Sequence, residues 1–379
     1  MNQPEHILHV FSSFETGGPE IRTIGLINKF GPRFRHTIMA TDGRYGARVR
    51  LDPGVSVAIV PPPPGKGGWL YGFSLRGVIR QVAPSILATY NWGAIDAVIA
   101  GRLLATIPIV HAEDGFGPEE AARLKRRRVL ARRVLLRGIF ATVVPSTTLL
   151  KAALDEYRIP RAKVRLIPNG VDVERFRPRD DPQWRRSHGV PDDAVLVGFV
   201  GALRPEKRLT HLLQAVRRAE QANVWVALVG DGPCRAELAS AAQSLGIADR
   251  VIFAGNEADT APAYASFDLF AMSSMTEQMP IALLEAMSSG LPALCTDVGD
   301  TAAILGDAEI AVAPPADDLD AYVQSLVRFV NDRPLRERVG ARNRAKCQTE
   351  FSEERMLQQY AELYCAATTS QRQKTAAQW

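Results

Sequence analysis

The sequence predicts an α/β protein made of two doubly wound, Rossmann-like domains, and three observations carry that prediction. Its 379 residues exceed what one ordinary hydrophobic core serves. Short apolar runs alternate with helical patterns along the whole chain, the signature of parallel α/β folding. Hydrophobic residues make up 46% and charged residues 23%, a balance that supports a sizeable buried core. Membrane-spanning and secreted classes are not expected. No run approaches the ~18 apolar residues of a spanning helix, and the start MNQPEHILHVFSS lacks the basic lead and apolar stretch of a secretory signal. Cys234, Cys295, Cys347 and Cys365 show neither metal-type nor redox-type spacing, so a reducing cytoplasm is the expected setting.

Taken in order, strands are expected at residues 7–12, 36–40, 55–60, 85–88, 107–111, 141–144 and 164–167, where short apolar runs are bounded by turn formers. The stretch PPPPGKGG at 61–68 cannot pack regularly and reads as a surface loop. IPNGVDVERFRPRDD, residues 167–181, is rich in turn formers and charge and marks the domain boundary. Further strands are expected at 195–200, 224–229, 251–254, 269–272, 293–295 and 310–312. Residues 1–170 would then form one domain and 171–351 another, with the ligand in the cleft between them. A helical pattern runs from Arg336 to about Cys365 and breaks near Phe351 and Ser352, where Glu354 helps mark a fresh start. Residues 352–379 would be a C-terminal helix crossing back to the first domain. Its tail from Ala367 has little to bury and is expected to fray.

The formal net charge of +5 hides an asymmetry. Residues 1–170 carry 24 Lys and Arg against 12 Asp and Glu, whereas residues 171–379 carry 22 against 29. Much of the excess lies in RLKRRRVLARRVLLR, residues 123–137, which reads as a basic amphipathic helix with Leu124, Ala131, Val134 and Leu135 on one face. A solvated helix paired with neighbouring acids is one reading. Attraction to an anionic bilayer, at roughly 1 kcal/mol per basic residue near the lipid, is the other. Nucleic acid is not expected as a partner, because no aromatic residues interleave with these arginines.

The motifs that could carry chemistry follow strands. SSMTEQMPIALLEAMSSGLP, residues 273–292, holds Glu277 and Glu285 around the start of a short helix. Pro280 suits the first helical position, and Gly290 and Pro292 supply the stop. Glu277 then precedes the helix, Glu285 lies about one turn inside it, and the helix start offers N–H groups and partial positive charge to a phosphate. Arg204 and Lys207 in GALRPEKRL follow the second domain's first strand, where two cations can neutralise a diphosphate or simply pair on the surface. Gly17 and Gly18 after the first strand permit close backbone approach to a ligand or a plain turn. The spacing of a dinucleotide fingerprint is absent. LVGDGP, residues 228–233, is a strand-end turn open to the same two readings. His111 ends a strand beside Glu113 and Asp114 and could contact a sugar or be structural. No second histidine or cysteine makes this a metal site.

Together these pieces resemble the retaining nucleotide-sugar glycosyltransferases of family four, which have the GT-B fold. Gly17-Gly18, IPNGVDVERF, GALRPEKR, LVGDGP and SSMTEQMPIALLEAMSSGLPAL carry the resemblance across nearly the whole chain. It implies that Arg204 and Lys207 grip the donor diphosphate, that Glu285 holds the ribose hydroxyls and that Glu277 contacts the transferred sugar. It also implies that Gly255 and Asn256 lie against the base and that the amides of Ile281, Ala282 and Leu283 meet the phosphates. Gly17 and Gly18 would close from the other domain, and His111 would contact the sugar from the acceptor side. The family commonly has glycines after the first glutamate, where this chain has Gln278, Met279 and Pro280.

The resemblance implies metal-independent transfer without a cofactor, from a nucleotide-diphosphate sugar to a glycan or lipid-linked acceptor in cell-surface polysaccharide synthesis; the cysteines set it in the cytoplasm and the basic helix suggests the membrane face. A nucleotide-sugar epimerase needs an acid–base pair over the sugar, for which His111 with Glu113 or Asp114 is the available choice. A non-catalytic subunit that only binds a nucleotide-sugar is the third reading.

Overall fold

In the computed structural model, which describes residues 4–66, 70–104, 106–115, 120, 124–179, 181–220, 223–306 and 314–376, the chain forms two compact α/β units. One comprises residues 1–169 with 356–379, the other residues 170–355.

The first unit is built on a parallel sheet of β1 (Glu5–Phe11), β2 (Phe34–Ala40), β3 (Val57–Ile59), β4 (Ile86–Tyr90), β5 (Ile109–Ala112), β6 (Ala141–Val144) and β7 (Val164–Leu166), in the order β3-β2-β1-β4-β5-β6-β7. Its central strands are buried on both sides because helices cover both faces. Alternate side chains of β1 serve different cores. Ile7 and Phe11 pack with Ile24 and Ile27 of α1 (Gly18–Phe30), while Leu8 and Val10 share a core with Leu75 and Ile79 of α2 (Tyr71–Val82) and Val98 of α3 (Ile95–Leu104). From β1 the chain moves outward through β2 and β3, then returns to lay β4 on the other side of β1. The topological switch point, where open α/β sheets bind ligands, therefore lies between β1 and β4.

The second unit repeats this logic with β8 (Val195–Val200), β9 (Val224–Val229), β10 (Val251–Gly255), β11 (Leu269–Met272) and β12 (Ala293–Cys295), in the order β10-β9-β8-β11-β12. Its switch point falls between β8 and β11. The glycines of LVGDGP serve backbone approach. Gly230 has φ +132°, and a Cβ there would lie 2.0 Å from the carbonyl oxygen of Gly201, in the turn after β8. Leu203 N–H donates across these two turns to the Asp231 carbonyl at 3.0 Å.

Several sequence expectations change. The strand at 310–312 lies outside the described residues. The segment 170–179 is a strap of the second unit: Val171 and Phe176 are buried in its core, Phe176 packs edge-on against Tyr264, and Arg344 donates to the carbonyls of Val173, Phe176 and Ser288. Its three large apolar residues outweigh its turn-rich composition. The helix expected from Arg336 begins at Arg333, capped by the Asp332 carboxylate, and ends at Glu350. The tail from Ala367 is helical to Ala376 within the helix Glu353–Ala376. It finds cover because Ala367 and Thr368 are buried in the first unit, and Arg372 pairs with Glu5.

Candidate active site

The second unit's switch point brings three of the expected residues onto adjoining loops. Lys207 ends the short 3₁₀ turn after β8, and Glu277 lies on the loop after β11. Their side chains form an ion pair, 22% and 11% exposed. The Ser274 hydroxyl donates to the same carboxylate oxygen of Glu277 at 2.8 Å. Gly299, at φ +59°, holds this loop from behind: a Cβ there would lie 2.0 Å from the Glu277 carbonyl oxygen. Arg204 precedes the 3₁₀ turn in extended conformation, and its exposed side chain makes no hydrogen bond or ion pair among the described residues.

The helix Ile281–Ser288 follows Glu277 by one short loop. Pro280 is the capping residue, with ψ 121°, so the helix begins one residue later than expected. The amides of Ile281 and Ala282 have no carbonyl within the helix to donate to. That of Leu283 is engaged by the Pro280 carbonyl at 3.2 Å, which removes it from the expected set of three. Glu285 stands just over one turn inside. Sequence reasoning missed what fixes it: the buried Tyr264 hydroxyl donates to Glu285 Oε2 at 2.8 Å. Burial and then the Glu285 charge push this phenol well above its ordinary pKa, so it stays a donor. Gly255 has φ +76° and accepts from the Gly230 amide at 2.7 Å, leaving Asn256 exposed beside it. Gln278 and Met279, standing where glycines were expected, are 8% and 7% exposed, and Met279 joins the second unit's core. Their bulk is thus taken up inside the unit.

In the first unit, Gly17 caps α1 in extended conformation and a Cβ on Gly18 would meet nothing within 4 Å, so the turn leaves open space at the helix start. His111 does not stand open. It is fully buried on β5, its Nδ1 2.8 Å from Thr89 Oγ1 and its Nε2 3.2 Å from Glu113 Oε1. Both ring nitrogens serve a buried chain, so the expected approach of His111 to a sugar is not open in this arrangement. Glu113 continues it to Arg132 Nε at 2.7 Å, and Arg132 reaches Glu120 at 3.5 Å. Burial pushes the Glu113 carboxyl up, but the His111 hydrogen bond and the Arg132 charge outweigh it and hold the pKa at about 2. Beside it, Asp114 takes a two-pronged pair from Arg22 of α1, with Nη2 3.0 Å from Oδ2, and its amide donates to Asn91 Oδ1 at 2.7 Å. An ion pair thus joins the first crossover to a later strand end in both sheets, Arg22 with Asp114 and Lys207 with Glu277. No motif pointed to Arg22.

The basic helix is α4 (Arg126–Leu135), and its faces differ from expectation. Val129 and Arg132 point inward, Leu124, Ala131 and Leu135 are half-buried, and Leu130 and Val134 are 61% and 59% exposed. The Glu113 and Glu120 carboxylates and the rings of Trp92 and Tyr157, 5.1 and 4.9 Å from the guanidinium carbon, draw Arg132 in.

Comparison with known proteins agrees with this geometry. The family model "Glycosyltransferase Family 4" matches residues 16–175, and "Glycosyl transferases group 1" matches residues 180–346. The D-inositol 3-phosphate glycosyltransferase of Stackebrandtia nassauensis is 29% identical over 270 residues, 67% of this chain and 59% of that protein. The UDP-Gal:alpha-D-GlcNAc-diphosphoundecaprenol alpha-1,3-galactosyltransferase of Escherichia coli is 26% identical over 253 residues, 62% of this chain and 64% of that protein. The match thus spans less than two thirds of the length of these two curated relatives. HepE of Anabaena, crystallised with UDP and glucose, has the same fold, with a TM-score of 0.81 at 20% identity over 96% of this chain and 100% of that one. The two models between them match most of the chain, and it belongs to the family-four, group 1 glycosyltransferases with the GT-B fold.

Proposed function

We propose that the chain transfers a sugar, with retention of anomeric configuration, from a nucleotide-diphosphate sugar to a lipid-linked or polysaccharide intermediate of cell-surface glycan synthesis, on the cytoplasmic side of a membrane. The observation that carries this is the Lys207–Glu277 pair at the β8/β11 switch point, beside the amide-bearing start of the helix Ile281–Ser288. A departing nucleoside diphosphate gains negative charge as the sugar becomes oxocarbenium-like. Arg204, Lys207 and the amides of Ile281 and Ala282 would meet that charge, an electrostatic task that a divalent ion performs in other transferases. Glu285, aimed by Tyr264, would take the ribose hydroxyls, and Glu277 the hydroxyls of the transferred sugar. Gly255 and Asn256 would face the base, and the open turn at Gly17 and Gly18 would serve ligand approach in the first unit. A donor phosphate oxygen accepts the acceptor's proton, so no side-chain base is required. His111 then acts as a positioning residue for Glu113.

The Escherichia coli relative named above acts on a diphosphoundecaprenol-linked sugar, which supports a lipid-linked acceptor for this chain. The epimerase reading loses its acid–base pair, since His111 and Glu113 are both buried and bound to each other.

Lys207→Ala should lower turnover about 10²- to 10³-fold, as removal of one preorganised charge contact does, while the melting temperature stays near that of the parent. Donor screening with proton NMR of the product reads both rate and anomer. Wild-type turnover in the variant, or an isomerised donor without acceptor, overturns the reading.

A further inference from the structure

Six of the nine exposed large apolar side chains among the described residues gather on three consecutive helices of the first unit. Leu70 and Phe73 stand at the start of α2, Ile99 and Leu103 one turn apart on α3, and Leu130 and Val134 one turn apart on α4, each between 36% and 61% exposed. The helices adjoin. A Cβ on Gly72 would lie 3.8 Å from Ile99 Cγ2, and the Arg102 guanidinium on α3 donates to the Val134 and Leu135 carbonyls at 2.8 and 3.2 Å. All three lie over the same core, and these side chains point away from it. Solitary exposed apolar residues need no explanation, but a contiguous set does.

The charges on the same helices select the occupant. Arg76 and Arg80 on α2, Arg102 on α3 and Arg126 and Arg127 on α4 are all exposed. Asp96 is the sole acid among the residues of these helices. Apolar side chains ringed by arginines fit the boundary between acyl chains and anionic headgroups, with the apolar groups immersed and the guanidinium groups among the phosphates. A protein partner would also accept an apolar, arginine-bearing centre, but a surface with one acid among so many arginines matches an anionic bilayer.

We propose that α2, α3 and α4 form one lipid-binding surface that seats the protein on an anionic bilayer, with Phe73, Leu103, Leu130 and Val134 as inserting residues. The surface differs from the expected one in that α4 presents Leu130 with Val134 while Leu124, Ala131 and Leu135 are half-buried, and α2 and α3 share the task. Its purpose, access to a lipid-linked acceptor, rests on the transferase reading, but its test does not.

The full chain is sedimented with vesicles containing about one third phosphatidylglycerol, and with phosphatidylcholine vesicles, at matched lipid. Binding to the anionic vesicles alone is expected, weakening as salt rises. Arg126→Gln and Arg127→Gln should each lower partitioning about fivefold, the equivalent of roughly 1 kcal/mol per basic residue. Leu103→Glu and Leu130→Glu should each lower it tenfold or more, with unchanged melting temperature and unchanged turnover on a water-soluble acceptor. Equal binding to both lipids, no binding to either, or full binding by the Glu variants overturns the proposal. So does a wild-type dimer that becomes monomeric in Leu130→Glu without a change in vesicle binding. Intact vesicle binding beside absent sugar transfer would instead overturn the transferase reading.

Discussion

At the scale of the residue, side chains outside the motifs decide how the motif residues stand. Glu285 is a half-buried carboxylate whose direction is set by Tyr264, twenty-one residues earlier in the chain. That hydroxyl also reaches the Ala282 carbonyl at 3.2 Å, so it ties the acid to the first turn of the helix Ile281–Ser288. Removing it loosens the hold on that carboxylate. Tyr264→Phe should therefore raise the KM for donor five- to tenfold, about 1 kcal/mol, with kcat little changed and the fold intact. A drop in kcat at constant KM would show that the phenol acts on the transition state instead. Lys207 and Glu277 form an ion pair, so substituting Lys207 removes a charge and leaves Glu277 held by the Ser274 hydroxyl.

At the scale of the element, the parallel pairing of β1 and β2 brings together three histidines. His6 Nε2 lies 2.7 Å from Thr37 Oγ1, His9 Nε2 lies 3.0 Å from His36 Nδ1, and His9 Nδ1 lies 2.8 Å from the Tyr90 hydroxyl. Burial first, then the charge of Arg35, lowers His6 to about 4; burial first, then His6, lowers His36 to about 4. The unfolded chain takes up these protons near the ordinary 6.5, whereas the folded sheet refuses them until about 4. The stability they contribute is thus complete above pH 6.5 and falls progressively as the pH drops toward 4. Melting temperature plotted against pH should show that decline, and His36→Gln should make it shallower whatever its effect at neutral pH. A slope identical to that of the parent would remove the histidines from the account.

At the scale of the whole molecule, ligand binding should act through the unit that holds the donor groups. A nucleoside diphosphate at a hundred times its dissociation constant adds about 2.7 kcal/mol to the folded state it binds. In a thermal-shift panel of uridine, guanosine, adenosine and thymidine diphosphates, one should raise the transition and the others little. Amide exchange with the active nucleotide should slow at the turn 204–208 and at the start of the helix Ile281–Ser288. Slowing confined to the first unit would move the donor site away from the β8/β11 switch point.

Much of this was legible in the sequence. Strands at 141–144, 195–200, 224–229, 269–272 and 293–295 fall where their apolar runs end, because a strand buried on both faces must be continuously apolar and its neighbours need not be. Glu277, Glu285, Arg204 and Lys207 stand on the loops and helix start where the sequence put them, because local spacing fixes such positions. Local spacing could not assign Arg132 to the buried side of its helix, where distant Glu113, Glu120, Trp92 and Tyr157 repay its desolvation. Nor could it show His111 consumed by Thr89 and Glu113, Tyr264 steering Glu285, or the tail after Ala367 finding cover on the first unit. The sequence alone determined the alternation of strand and helix and the residue types at their ends, since period and propensity act over a few residues. Tertiary structure alone decided which polar side chains were left to meet a ligand, since partners supplied by remote segments outbid the local pattern.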